Sequence, residues 1–376
     1  MKKIWLLTLV IFCMTTSELF ISGLLTEMAL FYNTSISKIG MLITYYALSM
    51  AIVGPILTIV FIHVNPKKLL VYVVSLFILG QFIGGFTSNY LIMVFSRIIT
   101  GGSASVAIAV SLNISFTQVS KEKHATASSI VMSGLMLASI IGLPVSTFVG
   151  HQYTWQVSYI SIAVLLLISI ILVIFFIPQP NYDNNMKVED ELKSLKSGPL
   201  WLSYTTAFLI ISATFGISSF FEPILTKAST FTSKQLPLLL SLYGISSLIG
   251  NFIVGKLGDK YTLTILKIGC IQLIIAFALL ATFINQPFIV ILSIVLFGLS
   301  GISLNPATIV RVTNIAGRGT AVMTLLNSMI TFGVVIGTYI GNTILSMQLP
   351  IVFLLISSII LTILAFLTVS FDKNIK

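Results

Sequence analysis

IWLLTLVIFCMTTSELFISGLL, residues 4–25, is the stretch from which the rest of the chain can be read. A helix needs roughly 20 predominantly apolar residues to cross a bilayer core, and this run has that length. It carries one ionisable group, Glu18. A carboxylate at the centre of a membrane helix costs about 3 kcal/mol or more, so it is seldom there without a task. Thr15 and Ser22 stand at i−3 and i+4 from Glu18, which predicts a polar stripe facing the protein interior. The run is too long for a signal peptide and lacks a small-residue cleavage site.

Composition extends this reading to the whole chain. Of 376 residues, 57% are hydrophobic and 8% charged, with a mean hydropathy of +1.08. Soluble domains carry about 25% charged residues, so the chain is an integral membrane protein. The net charge of +10 forms no basic stripe, which argues against nucleic acid. Cys13 and Cys270 lie inside apolar runs and read as small apolar residues, neither a disulfide nor a metal site. His63, His124 and His151 fall at loop edges and are poor candidates for a buried proton relay. No phosphate-binding loop, metal-ligand cluster or catalytic triad is visible, so the chain is expected to be no enzyme, to need no cofactor, and not to hydrolyse ATP.

Twelve spans are predicted, at 4–25, 40–62, 68–88, 90–114, 125–149, 156–178, 200–222, 235–256, 262–284, 287–310, 319–346 and 349–370. The long connector between Pro178 and Pro199 divides them six and six. With the N-terminus inside, Lys and Arg crowd the cytoplasmic segments, Arg311 and Arg318 among them. Lys38, Lys227 and Lys234 lie outside and Arg97 within a span. Both termini are therefore expected in the cytoplasm. Of the ten acidic residues, Glu18 is the one placed well inside a span, with Glu27 and Glu222 at span ends. A shift of 197 residues lays Tyr46 on Tyr243, Thr58 on Gly255, Ser96 on Ser293 and Gly101 on Gly298. Six-span repeats of this kind mark transporters, whose substrate site lies near mid-membrane at the repeat interface.

Four motifs carry chemistry. Gly255-Lys256-Leu257-Gly258-Asp259-Lys260-Tyr261 joins spans eight and nine, where glycine permits close helix approach and Asp259 can cap a helix or pair with a base. Ser96-Arg97-Ile98-Ile99-Thr100-Gly101-Gly102 puts a guanidinium inside span four. It must find acid, carbonyl or substrate partners there. Gly134, Gly142, Pro144 and Gly150 punctuate span five, predicting close packing and a bend. Ser17-Glu18-Leu19-Phe20-Ile21-Ser22-Gly23 closes span one. These runs resemble the signature loop, the arginine motif, the glycine–proline motif and the opening helix of the major facilitator superfamily, in its branch of drug:proton antiporters and sugar and nucleoside exporters. The chain departs from that pattern in the first copy of the signature loop, which lacks the acid. It departs again at Ser146 and Gln156, where Gly and Arg are usual.

The resemblance implies an all-α membrane protein of twelve transmembrane helices in two pseudo-symmetric six-helix halves. The halves are expected at 1–178 and 200–376, with a cytoplasmic linker at 179–199. It implies a proton-coupled secondary transporter of the cell membrane that exports a small organic molecule as an antiporter, of the multidrug-resistance kind. An importer on the same scaffold is the alternative. Glu18 is expected to carry the proton, from its depth, its polar face and the lack of another mid-span acid. For Arg97 two readings stand: a structural cation held by carbonyls, or a group that tunes the proton-carrying acid. Thr15, Ser22, Thr100, Tyr243 and Asn327 are candidates for the substrate cavity. Gly134, Gly142, Pro144, Gly255, Asp259 and Lys260 are candidates for gating and helix packing. The expected partners are the small-molecule substrate, protons and the bilayer, with the protein acting as a monomer and holding no metal.

Overall fold

The computed structural model describes residues 3–61, 64–179, 194–221, 224–225, 231, 235–317 and 319–371. Most of the expected linker lies outside the described residues, as do Glu222, His63, Lys227, Lys234 and Arg318. The described residues are overwhelmingly helical and contain no strand. A bilayer imposes this, because backbone groups in hydrocarbon must be satisfied within the segment. In order the helices are α1 (Ile4–Leu19), α2 (Leu25–Phe31), α3 (Ile36–Val60), α4 (Pro66–Phe86), α5 (Tyr90–Thr117), α6 (His124–Leu137), α7 (Leu143–Gln152) and α8 (Trp155–Phe176). They continue as α9 (Gly198–Ser218), α10 (Leu236–Thr282), α11 (Pro287–Ser300), α12 (Asn305–Ala316), α13 (Thr320–Ser346) and α14 (Ile351–Ser370).

Eleven described stretches are long and apolar enough to span a membrane. One of them, within α10, contains two crossings: Tyr261 has non-helical torsions (φ −126°, ψ 39°) and separates two helical segments. Counting both gives the twelve spans expected. Two compact units are present. The first comprises Met1–Lys193 with Arg318–Ser328, the second Ser194–Gly317 with Met329–Lys376. The helix α13 therefore contributes its first turns to one unit and the remainder to the other.

In α8, Ala163, Leu166, Ile170 and Val173 form the buried stripe, while Leu165, Ile168, Ile171 and Phe175 on the other faces are exposed. A helix apolar on every face whose outer side meets no protein is suited to lipid. Inside each unit, glycines set the closest approaches. A Cβ on Gly101 would collide with the Tyr46 carbonyl and lie 3.1 Å from Ser49 Cβ. In the second unit a Cβ on Gly298 would lie 2.8 Å from the Tyr243 carbonyl and 2.7 Å from Ser246 Cβ. The same three-residue contact, offset by 197 positions, is thus built twice.

Three expectations change. The first span is not one helix: α1 stops at Leu19, a 3-10 turn covers Phe20–Gly23, and α2 begins at Leu25. Span ten breaks at Gly301 (φ −67°, ψ −106°), where the Ser303 hydroxyl donates to the carbonyls of Ser247 and Gly298. Arg311, assigned above to a cytoplasmic loop, is fully buried in α12 and donates to Thr206 Oγ1 (2.8 Å) and the Thr368 carbonyl (3.3 Å). A basic residue near a span end reads as topogenic in sequence. Here two of its hydrogen-bond acceptors come from α9 and α14, which no local pattern announces.

Span five is α6, a π-helical turn at Ala138–Gly142, and α7 with Pro144 at its start. Proline cannot donate to the preceding turn, and the wider π turn accommodates the lost bond. Gly134, Gly142 and Gly150, eight residues apart, lie against Thr8, Thr16 and Leu24, equally spaced along the first span. A Cβ on Gly134 would sit 2.6 Å from the Thr8 carbonyl oxygen, backbone that cannot yield cheaply. Gly134→Val is expected to destabilise the protein by about 1–3 kcal/mol through overpacking. Gly40→Ala, with nothing within 4 Å, should leave the melting temperature in detergent unchanged or slightly raised.

Candidate functional site

The end of α1 brings Ser17 and Glu18 beside Arg97 of α5, and Ser17 meets Gln81 of α4. Glu18 keeps part of its surface accessible. Arg97, Ser17 and Gln81 have none. Arg97 Nη1 donates to the Ser17 carbonyl (3.0 Å) and hydroxyl (3.4 Å), and Nε donates to the Leu42 carbonyl (3.4 Å). The guanidinium carbon lies 4.3 Å from the centre of the Tyr46 ring, an attraction worth more when desolvated. Gln81 Nε2 donates to the Ser17 hydroxyl. Tyr46 donates to the Met14 carbonyl (3.4 Å). Carbonyls, a hydroxyl and a π face thus hold the cation, and no ion pair within 4 Å joins it to Glu18. Arg97 Nη2 and Gln81 Oε1 are buried and without a partner.

The motif around Arg97 explains its placement. Ser96 donates to the Gly80 carbonyl (2.8 Å), and Gly80 and Gly84 of α4 give room to Thr100 and Ser96. Thr100 is itself fully buried, and its hydroxyl donates to the carbonyls of Ser96 and Arg97. Thr15 is buried, whereas Ser22 is exposed in the 3-10 turn and donates back to Leu19 (2.6 Å). The Thr15–Glu18–Ser22 stripe is therefore not continuous, because the α-helix ends between its second and third members.

The other candidates stand elsewhere. Tyr243, the counterpart of Tyr46, packs on the rings of Phe221 (5.1 Å) and Phe297 (4.9 Å) in the second unit. Its neighbour at the position matching Arg97 is Ile294, fully within the apolar core. One tyrosine scaffold thus serves a cation in one unit and a phenyl cluster in the other. Asn327 donates to Ser105 Oγ (3.2 Å). Gly255 and Asp259 lie in the helical turn before the Tyr261 break, where Gly255 is buried and Lys260 Nζ sits 5.1 Å from the Tyr261 ring centre. Glu27 pairs with His151 at an exposed edge (2.7 Å). Gln81 was missed in the sequence reading. An amide inside an apolar span is the available signal, since it must hydrogen-bond another helix.

Membrane-length helices among the described residues, a helix contact repeated in both units and a buried guanidinium inside a span are features of a multi-pass membrane protein with an internal repeat. The comparisons agree. The family model described as Major Facilitator Superfamily matches residues 7–338 and 204–374. The inner membrane transport protein YdhP of Escherichia coli (strain K12) is 27% identical over 356 residues, covering 94% of this chain and 91% of that protein. The MFS-type transporter YbcL of Bacillus subtilis (strain 168) is 26% identical over 342 residues, covering 90% and 88%. Two solved structures share the fold. The human organic anion transporter MFSD10 (TETRAN) has a TM-score of 0.78 at 13% identity, covering 98% of both chains. The proton:xylose symporter XylE, bound to 6-bromo-6-deoxy-D-glucose, has a TM-score of 0.76 at 15% identity, covering 98% and 94%. The chain belongs to the major facilitator superfamily.

Proposed function

We propose that this transporter is proton-coupled and exports a small organic molecule by alternating access, with Glu18 as the coupling acid. The observation that carries the reading is Glu18, a residue inside a span that keeps part of its surface accessible, near a fully buried guanidinium that is held by carbonyls and not ion-paired with it. A proton carrier needs access, and its cationic neighbour needs a fixed position. The unpartnered Nη2 of Arg97 is a donor that the carboxylate can take when it ionises and turns. Because Arg97 presents no accessible surface, it offers no face to an anionic substrate. The available charge is that of Glu18, which favours neutral or cationic molecules. The export direction rests on the resemblance of span five to the exporters' motif. The Tyr261 junction with Asp259 and Lys260 is proposed to stabilise closure of the cytoplasmic side.

Comparing metabolites of cells with and without the protein identifies candidate substrates. Their accumulation in liposomes under an imposed pH gradient then tests coupling. Accumulation indifferent to the gradient would overturn the proton reading, and uptake confined to right-side-out vesicles would turn the exporter into an importer. Topology is tested separately. In a protein lacking Cys13 and Cys270, Lys38→Cys should react with an impermeant maleimide added outside intact cells, and Lys123→Cys should not. Reversal of that pattern would overturn cytoplasmic termini.

A further inference from the structure

Ser17 stands between two groups that are each left with one polar atom unused. Its hydroxyl accepts from Arg97 Nη1 (3.4 Å) and from Gln81 Nε2. Arg97 Nη2 and Gln81 Oε1 are buried without a partner, and neither residue presents any surface. Unmade hydrogen bonds in the interior are costly, so two of them around one serine point to a group that can come to them. The two atoms differ in kind: a guanidinium only donates, and an amide oxygen only accepts. Glu18 follows Ser17 as the penultimate residue of α1, just before the 3-10 turn, and bonds to neither atom. Charged or titratable groups face this point from three helices. Arg97 of α5 and Tyr46 of α3 act on Glu18 electrostatically, and Tyr159 of α8 stands beside Arg97 and packs on the Phe20 ring at 4.8 Å. The Tyr46 hydroxyl is engaged by the Met14 carbonyl (3.4 Å).

We propose that Gln81 is a further residue of the proton site, whose amide oxygen receives the protonated Glu18 while Arg97 Nη2 receives the ionised form. A proton carrier has to be satisfied twice. As a carboxylate it needs donors, and Arg97 supplies one. As a neutral acid it carries an O–H and needs an acceptor, which no arginine offers. Gln81 Oε1 is a buried acceptor left open beside it. Loss of the proton then moves the Glu18 side chain from the amide to the guanidinium. Both resting places are pinned through Ser17, so the swing needs no movement of α4 or α5. A helix-to-helix bond alone is complete with Gln81 Nε2 on Ser17 and leaves the amide oxygen without a task. An amide turned over would instead offer Glu18 a donor and favour the ionised form, which reverses the sign of the effect. The inference rests on the reading of Glu18 as the coupling acid.

Infrared difference spectra of the full chain in detergent, taken as the pH is stepped, test it. The protonated-acid carbonyl band that is absent from Glu18→Gln belongs to Glu18. Gln81→Met keeps the volume and removes the acceptor. In that variant the band should vanish at a pH about one unit lower than in the unaltered protein, a proton held about tenfold less tightly. A band lost at the same pH would overturn the inference. So would one lost at higher pH, the sign expected of an amide that donates to the carboxylate, and so would a Glu18 with no titrating band. Thermal melts check that Gln81→Met is folded. If it is not, the unaltered protein decides: an acid O–H given to an amide oxygen lowers the carbonyl stretch, and a free-acid frequency would overturn the inference. Failure of the coupling reading looks different, because Glu18→Gln would then keep pH-driven accumulation whatever Gln81→Met does to the band.

Discussion

Glu18→Gln is expected to fold, reach the membrane and lose accumulation driven by a pH gradient. Glutamine keeps the shape and hydrogen-bonding capacity of the protonated acid but cannot release a proton. Uphill transport should fall to the level of protein-free liposomes, since a mid-membrane acid that carries the proton has no substitute. Exchange of substrate for substrate should survive, since it moves no net proton. The split matters because a merely structural Glu18 would impair both modes together. Retained pH-driven accumulation would move the coupling site, with Glu27 the next acid to test. Glu27 is engaged by His151 at an exposed edge, so its substitution is expected to leave coupling intact.

Arg97→Lys should be the second most damaging change. The guanidinium meets the Ser17 carbonyl, the Ser17 hydroxyl, the Leu42 carbonyl and the Tyr46 ring at once. An ammonium is a point charge without the planar fork, and it cannot reproduce that set. Each carbonyl or hydroxyl left unpaired in the interior costs about 1–3 kcal/mol, so the lysine variant should melt earlier in detergent by a clear margin. Transport separates the two readings of this residue. If Arg97 positions Glu18 for proton exchange, the pH dependence of transport in the lysine variant should shift as well as its rate. A lower melting temperature with an unchanged pH profile would reduce Arg97 to a strut between α1, α3 and α5.

Much of the fold was legible in the chain because a bilayer is an unforgiving solvent. Apolar runs of the right length must be helices, and a mid-span acid or base must be inside the protein. The repeat was legible too: Tyr46 and Gly101 recur as Tyr243 and Gly298, and the carbonyl-on-glycine contact recurs with them. At the site, Glu18 and Arg97 announced themselves by their cost. Their companions did not. Gln81 is one amide in a long apolar run, and Ser17 is one of many hydroxyls beside a better-known neighbour.

The sequence by itself determined the membrane class, the number of spans, the repeat and the two costly residues, because each follows from length, hydropathy or charge along one segment. Only the tertiary structure decided that α1 ends at Leu19 and turns Ser22 away, and that Arg97 rests on Ser17, Leu42 and Tyr46 rather than on Glu18. It likewise decided that Arg311 is buried against α9 and α14, and that Thr58 meets Thr324. The physical reason is the same in each case. Which hydroxyl or carbonyl satisfies a buried group depends on how distant helices rotate and pack against one another, and a span's own periodicity is silent about the face its neighbour will present.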